Sequence, residues 1–353
     1  MIKKLLFKIF SFFDAVKDFL FQWGIKILVI LIGLLVLHNA LKIVDLASVG
    51  YTGQYKNLQE VYPEDEKYAN CYVTGEGSKT VVILPGFGES SPVIEYQTLV
   101  RGLSDEYRVA VIEGFGYGYS MSMRKYPRTN ENICAEIMKM LDLSGIGGPY
   151  VFMAHGQSSI YAMYLAEHYP DYVSGVILLD SFYPKELEDD YRLQKVKDQV
   201  ANYNYTSIFE LTGYERIVSY IHPETFKIDH MRTIPEIYGE EEIKQYRDRI
   251  AMSYLSRTMM REINKMQDNA RQVMDYKFSA YLPSLQIISS EKEEEFKKDY
   301  DSKKSNTNSD ILSNELITNP LIQRVTVIEG DHDLEFSNPK GVIEEVKAFL
   351  STF

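Results

Sequence analysis

Between Gly148 and Asp180 the chain reads GPYVFMAHGQSSIYAMYLAEHYPDYVSGVILLD. An apolar run, Tyr150 to Met153, leads into a tight turn and then a helical stretch that Pro170 stops. Ala154 lies two residues before Gly156 and Ser158 two after it. Small residues at those places let a strained strand-to-helix turn raise its central side chain above a sheet, the arrangement from which a nucleophile attacks an ester or amide carbonyl. The central residue here is Gly156, which has no hydroxyl, so no acyl-enzyme can form on it. Shifting the register to Ser158 places Ile160 on one flank, and shifting it to Ser159 places Gln157 and Tyr161 on the flanks, where bulk crowds the turn. Ser158 stays as the substitute nucleophile.

Other residues with chemical potential carry less. His168, His222 and His230 have no metal-ligand spacing to one another, and His155 reads as structural, so no metal site is expected. The stretch GFGYG (114–118) lacks the spacing and the later acidic partner of a dinucleotide fingerprint, so no cofactor is expected either. Cys71 and Cys134 are too few for a disulfide framework or a four-ligand zinc site and read as small buried hydrophobes.

The elements around the turn follow an α/β pattern. Seven short apolar runs (71–77, 80–88, 107–116, 150–156, 173–180, 284–290 and 324–330) alternate with helical stretches, which predicts a mostly parallel sheet with crossover helices. Most runs end in Gly or a polar turn at the carboxyl edge, where such sheets place ligands. Between about 182 and 282 the strand signal gives way to charged, Tyr-rich, helical sequence, expected as a helical cap over that edge. Residues 291–310, EKEEEFKKDYDSKKSNTNSD, read as a solvated loop or frayed helix.

Composition narrows the setting. The 353 residues hold 38 Lys+Arg against 50 Asp+Glu, a net charge of −12, so the positive field of a nucleic-acid binder is missing. The charge is unevenly spread. Residues 1–26 carry five lysines and two aspartates, a local +3, which leaves −15 on the remainder. In this stretch Lys4, Lys8, Ser11, Asp14 and Asp18 face away from Leu5, Ile9, Phe12, Phe13, Val16 and Leu20, which predicts an amphipathic leader over 1–18 lying in a membrane interface. Residues 19–44, built around ILVILIGLLVL (27–37), are expected to be a retained transmembrane anchor, because no small-x-small cleavage site follows. The lysine bias places the N-terminus in the cytoplasm and everything after the anchor outside. Residues 45–69 read as a linker and 70–353 as the folded domain.

Four blocks in order now carry a resemblance: the turn at 154–158, LPGFGESSP (84–92), EGFGYGYS (113–120) and IEGDHDLEFSNP (328–339). Over roughly residues 70–353 the chain resembles the α/β-hydrolase superfamily, in particular its membrane-anchored bacterial members. The resemblance implies an oxyanion hole from the backbone N–H groups of Phe87 and Gln157, His332 as general base, and an acid at Glu293 after the run 284–290, with Asp180 as the alternative. It also implies a small ester, amide or lipid-like ligand, and it puts Gly156 where the family has its nucleophilic serine. Two function classes follow: a serine-hydrolase scaffold disabled at its nucleophile, or a non-catalytic fold kept to bind a ligand or partner.

Overall fold

The computed structural model describes residues 2–48, 55–210 and 212–353. Its centre is an eight-stranded sheet: β1 (Leu58–Tyr62), β2 (Lys67–Thr74), β3 (Thr80–Leu84), β4 (Arg108–Glu113), β5 (Tyr150–His155), β6 (Val173–Leu179), β7 (Ser284–Ser289) and β8 (Gln323–Ile328). The strands lie in the order β1-β2-β4-β3-β5-β6-β7-β8. β2 pairs antiparallel with β1 and β4, and all later neighbours are parallel. β5 sits near the middle, every residue buried. Val151 and Met153 pack into one hydrophobic cluster, Phe152 and Ala154 into the cluster on the opposite face. A parallel strand covered on both faces must be apolar throughout, which is why the interior strands stand out in the sequence as unbroken runs.

Each of the seven apolar runs carries one of β2 to β8. β1 lies inside the stretch expected to be linker, so the fold begins at or before Leu58 rather than at residue 70. Only Val61 of this edge strand is buried, too little for a strand pattern to show. The charged stretch after residue 290 also differs from expectation. Ser290–Asp301 is a helix, started by Ser289 Oγ accepting from Lys292 N, and its Phe296 and Asp299 are buried. Arg192 stacks over the Phe296 ring at 3.4 Å, which gives this side of the helix an apolar face its composition conceals.

From Asp190 to Gln272 the described residues are mostly helical, with long pieces at Asp190–Glu210 and Glu240–Ser253, and among them no strand occurs before β7. At the other end, Ile2–Ser48 is one helix. Its window Val16–Ala40 has a mean hydropathy of 2.4, and large apolar side chains from Phe19 to Leu37 stand exposed. At 1.5 Å per residue these 25 residues span about 37 Å, more than the ~30 Å hydrocarbon core of a bilayer. The side chains that would make the leader amphipathic, up to residue 15, and residues 49–54 of the expected linker lie outside the described residues.

One buried ion pair ties the domain together beside the site. Arg128 Nη1 meets Glu136 Oε2 at 2.7 Å with both side chains at most 2% exposed, and the hydroxyl of Tyr62 in β1 donates to Glu136 at 3.1 Å. Arg128→Met should cost about 3–5 kcal/mol in a urea titration, because it strands a carboxylate in the core. Adding Glu136→Leu should recover part of that loss, since the stranded carboxylate is then gone, while Glu262, held by Tyr117 and Tyr161 in the same small cavity, still loses the charge of Arg128.

Candidate active site

β5 ends at His155, and the next residue turns the chain. Gly156 has φ +51°, a left-handed conformation that glycine adopts without the cost other residues carry. A Cβ built there would lie 3.4 Å from His332 Cε1 and 3.5 Å from Nε2, ordinary contact distances. The position is therefore open to a side chain and aimed at the histidine. His332 follows β8 in a short turn. Its Nδ1 hydrogen-bonds Asp180 Oδ2 at 2.6 Å, which leaves Nε2 facing the elbow.

Of the two expected acids, Asp180 is the one that meets His332. It stands at the end of β6 with φ +42°, is 2% exposed, and its Oδ1 accepts from Ser289 N at 2.9 Å. Burial pushes its carboxyl up, but Lys292, His332 and the Ser289 N–H overcome this and hold it well below the usual carboxylate range. Glu293 is not the partner: its Oε2 accepts from Ser309 Oγ, tying two helices together. The helix after β7 reaches the site through its neighbour Lys292, whose ammonium donates to the carbonyls of Asp180 and Ser181. The carboxylate that meets His332 thus lies just past β6 and the cation beside it in the helix after β7.

Ser158 is also placed elsewhere. Its hydroxyl donates to the Pro85 carbonyl, and it lines a separate small cavity with Tyr161 and Glu262. Two residues into a helical turn, it points away from the position that Gly156 holds.

Gly156, Asp180 and His332 border a cavity of about 440 Å³. Phe87 and Gln157, the expected oxyanion donors, border it beside the elbow. Gln157 Nε2 is buried there without a hydrogen-bond partner. The helix Asp190–Glu210 lays Val196, Val200 and Tyr203 over the cavity at helical spacing, and Tyr203 meets Phe87 edge-on at 4.8 Å. The same helix also supplies Arg192, one turn before Val196, and Lys195. The cavity is apolar over the elbow and charged at its other end.

A buried network behind the site escaped the sequence reading. His155, 2% exposed, stacks on His332 with ring centroids 4.6 Å apart, and its Nε2 meets the His332 carbonyl at 3.0 Å. Its Nδ1 meets the Tyr96 hydroxyl at 2.8 Å and Glu89 Oε1 at 3.1 Å, while Glu89 Oε1 accepts from Gly86 N at 3.0 Å. One imidazole therefore connects the loop after β3 to the histidine loop. Glu89, His155 and Glu335 bring ligand atoms within 4.8 Å of one another, close enough to hold a metal ion, yet both ring nitrogens of His155 are engaged in hydrogen bonds. Lys227 brings a cation from the cap, with Nζ 2.9 Å from Asp333, 3.3 Å from Glu95 and 3.5 Å from Glu335. The sequence signal for this network was slight: a glutamate in LPGFGES and a lysine within a long helical insertion.

The network sets a pH dependence. Burial works against a charge on His155, but Glu335 and Glu89 prevail and push the ring up to about 9. Burial, aided by Glu89 and Glu335 and opposed by Lys227, raises Glu95 to about 8. Both groups keep protons in the folded chain that the unfolded chain releases, near 6.5 for His and about 4.3 for Glu. Their stabilisation is present below those unfolded values and is lost as pH rises through 8 and 9. Asp180 has the opposite sign and loses its contribution only on acidification. Calorimetry should find the highest unfolding temperature in mildly acidic buffer and a steady fall to pH 9; a flat or rising profile there would contradict these charge states.

The remaining candidates have local partners. His168 stacks on Tyr164 at 3.9 Å, His222 pairs with Glu224 at 3.0 Å, and His230 lies 5.9 Å from the Phe336 ring. Cys71 and Cys134 are free and buried.

Residues 79–208 match the family model of the alpha/beta hydrolase fold, and the strand order and the strand-turn-helix at Gly156 agree with it. The chain has the α/β-hydrolase fold. Among solved structures, the epoxide hydrolase VrEH1 from Vigna radiata superposes on this α/β-hydrolase domain with a TM-score of 0.59 at 16% identity, covering 84% of this chain and 98% of its own. Cfl2 from Burkholderia cenocepacia gives 0.58 at 16% identity over 83% and 94% of the two chains, and a putative epoxide hydrolase from Pseudomonas aeruginosa gives 0.58 at 16% over 81% and 92%. At such identity the likeness concerns the fold alone. In sequence, the uncharacterized protein YbdG of Bacillus subtilis (strain 168) is 34% identical over 131 residues, 37% of this chain. That match spans 40% of the relative's length.

Proposed function

We propose that this is an α/β-hydrolase-fold protein held at a membrane by its N-terminal helix, whose capped cavity binds a small ester, amide or lipid-like ligand without turning it over through an acyl-enzyme. The observation that carries this reading is the empty side-chain position at Gly156, 3.5 Å from His332 Nε2 beside an intact Asp180–His332 pair. The pair retains the geometry of a general base, and backbone donors at Phe87 and Gln157 do not depend on a serine. Only the group that would be acylated is gone. Loss of the nucleophile costs a serine hydrolase on the order of a millionfold in kcat, with about 10³–10⁴ over water surviving through binding and the oxyanion hole. A fluorophosphonate probe should leave the native chain unlabelled. Labelling at Ser158 would overturn the reading and restore a working serine.

The membrane part has its own test. The exposed apolar window and the basic residues before it favour a cytoplasmic N-terminus with the folded domain outside. Protease added to intact cells should then remove the domain beyond residue 55; full protection would place it on the other side.

A further inference from the structure

A second concavity, about 670 Å³, shares no lining residue with His332's cavity. Its walls are the β1–β2 turn, the loop 116–125 and the helix Glu240–Ser253. Lys67, Arg124, Lys125 and Arg249 line it, and among the lining residues the one carboxylate is Asp65, which Lys125 already holds at 2.7 Å. Four cations converge on a domain that otherwise carries a strong negative charge.

Arg249 marks this as a built site. It is 4% exposed, yet its Nε has no hydrogen-bond partner and its Nη2 has only the thioether of Met252 at 3.1 Å. The guanidinium stacks on Tyr119 at 4.6 Å. The buried arginines Arg128 and Arg192 are met by carboxylates, Glu136 and Asp299, and the half-buried Lys227 by three acids. Glu113, whose carboxyl feels the charge of Arg249, is fully engaged by Asn70, Ser91, Val93 and Tyr119. Burial and the repulsion of Arg249 together lower the pKa of Lys56 nearby. A guanidinium left with a thioether and a ring has donors to offer an incoming anion. The loop folds tightly over Glu113: a Cβ at Gly118, where φ is +46°, would fall 2.0 Å from Glu113 Oε1, so only glycine fits, and this keeps that carboxylate beneath the loop.

We infer that this groove binds a phosphoryl group, that of an anionic phospholipid headgroup at the membrane surface. The lipid assignment rests on the membrane reading above. The helix that carries Arg249 comes close to the N-terminal helix, and Lys56, eight residues past the end of that N-terminal helix, feels the charge of Arg249, so the groove lies near the start of the folded domain. A domain with a large negative charge is repelled by an anionic bilayer, so a local cationic groove decides which face turns toward it.

Calorimetric titration of the full chain in maltoside micelles tests this with three probes: dihexanoylphosphatidylglycerol, dihexanoylphosphatidylcholine and glycerol 3-phosphate. The phosphatidylglycerol should bind saturably and weaken with added salt, and the phosphatidylcholine should bind at least roughly tenfold less well. Arg249→Gln should weaken the interaction by about tenfold or more. Lys67→Gln with Arg124→Gln, at the rim of the groove, should do the same and guards against misfolding of the first variant. Loss confined to these variants separates the groove from lipid entering the capped cavity. Glycerol 3-phosphate binding as tightly as the lipid would support the phosphoryl site and overturn its assignment to lipid. Equal binding of phosphatidylcholine, or no effect of either variant, would overturn the proposal.

Discussion

Gly156→Ser should convert this chain into an esterase that a fluorophosphonate labels at the new hydroxyl. The structure leaves room for it. A Cβ at this position sits 3.4–3.5 Å from the His332 ring, so no neighbour has to move, and a hydroxyl one bond further on comes within hydrogen-bond reach of Nε2. The expected gain in kcat/KM on an activated ester such as p-nitrophenyl acetate is about 10³-fold or more, and the upper bound is the roughly 10⁶-fold in kcat that removal of the nucleophile costs in subtilisin. The cost is conformational. At φ +51° a residue with a Cβ is about 1–2 kcal/mol less comfortable than glycine, so the variant should unfold at slightly lower denaturant. Active hydrolases accept such strain at the elbow; here glycine relieves it. If the variant folds with normal circular dichroism and remains unlabelled and inactive, the cavity has diverged beyond its nucleophile and serves binding alone.

In the Gly156→Ser background, Asp180→Asn should lower kcat by about 10⁴-fold while Glu293→Gln changes it by less than roughly threefold. Asp180 Oδ2 receives the Nδ1 hydrogen of His332 at 2.6 Å, which keeps Nε2 free to accept the serine proton. An amide in its place presents a donor or a neutral acceptor and favours the wrong tautomer. Asp180 is also well prepared for this role, since Lys292 and the Ser289 N–H keep it ionised although it is buried. Glu293 has its carboxylate on Ser309, in the packing of two surface helices. Equal losses from both substitutions would reverse the assignment, and a loss from Glu293→Gln alone would restore the acid to the end of β7.

How much of this was visible beforehand differs by element. The interior strands were legible because each is buried on both faces, as the uniformly buried TVVIL and YVFMAH show. The edge strand LQEVY was not, since one buried valine among half-exposed neighbours leaves no pattern. Residues 291–310 read as a solvated loop or frayed helix because glutamates and lysines dominate their composition; Ser290–Asp301 is a helix, and the burial of Phe296 and Asp299, which the composition hides, is what packs it. The elbow was legible because its demand is local: small residues on either side of a turn at fixed spacing.

The sequence by itself determined the fold class, the helical insertion before β7, the apolar N-terminal helix and the glycine at the centre of the strand-to-helix turn, because each rests on residues adjacent in the chain. Only the tertiary structure decided which carboxylate meets His332, that Ser158 turns away from it, and that Lys227 and Arg249 are cations of opposite fate. Lys227 is surrounded by carboxylates and Arg249 is left with a thioether. Those outcomes depend on side chains that come from strands and helices far apart in sequence, and the contact between Asp180 and His332 exists only once β6, β7 and β8 lie side by side.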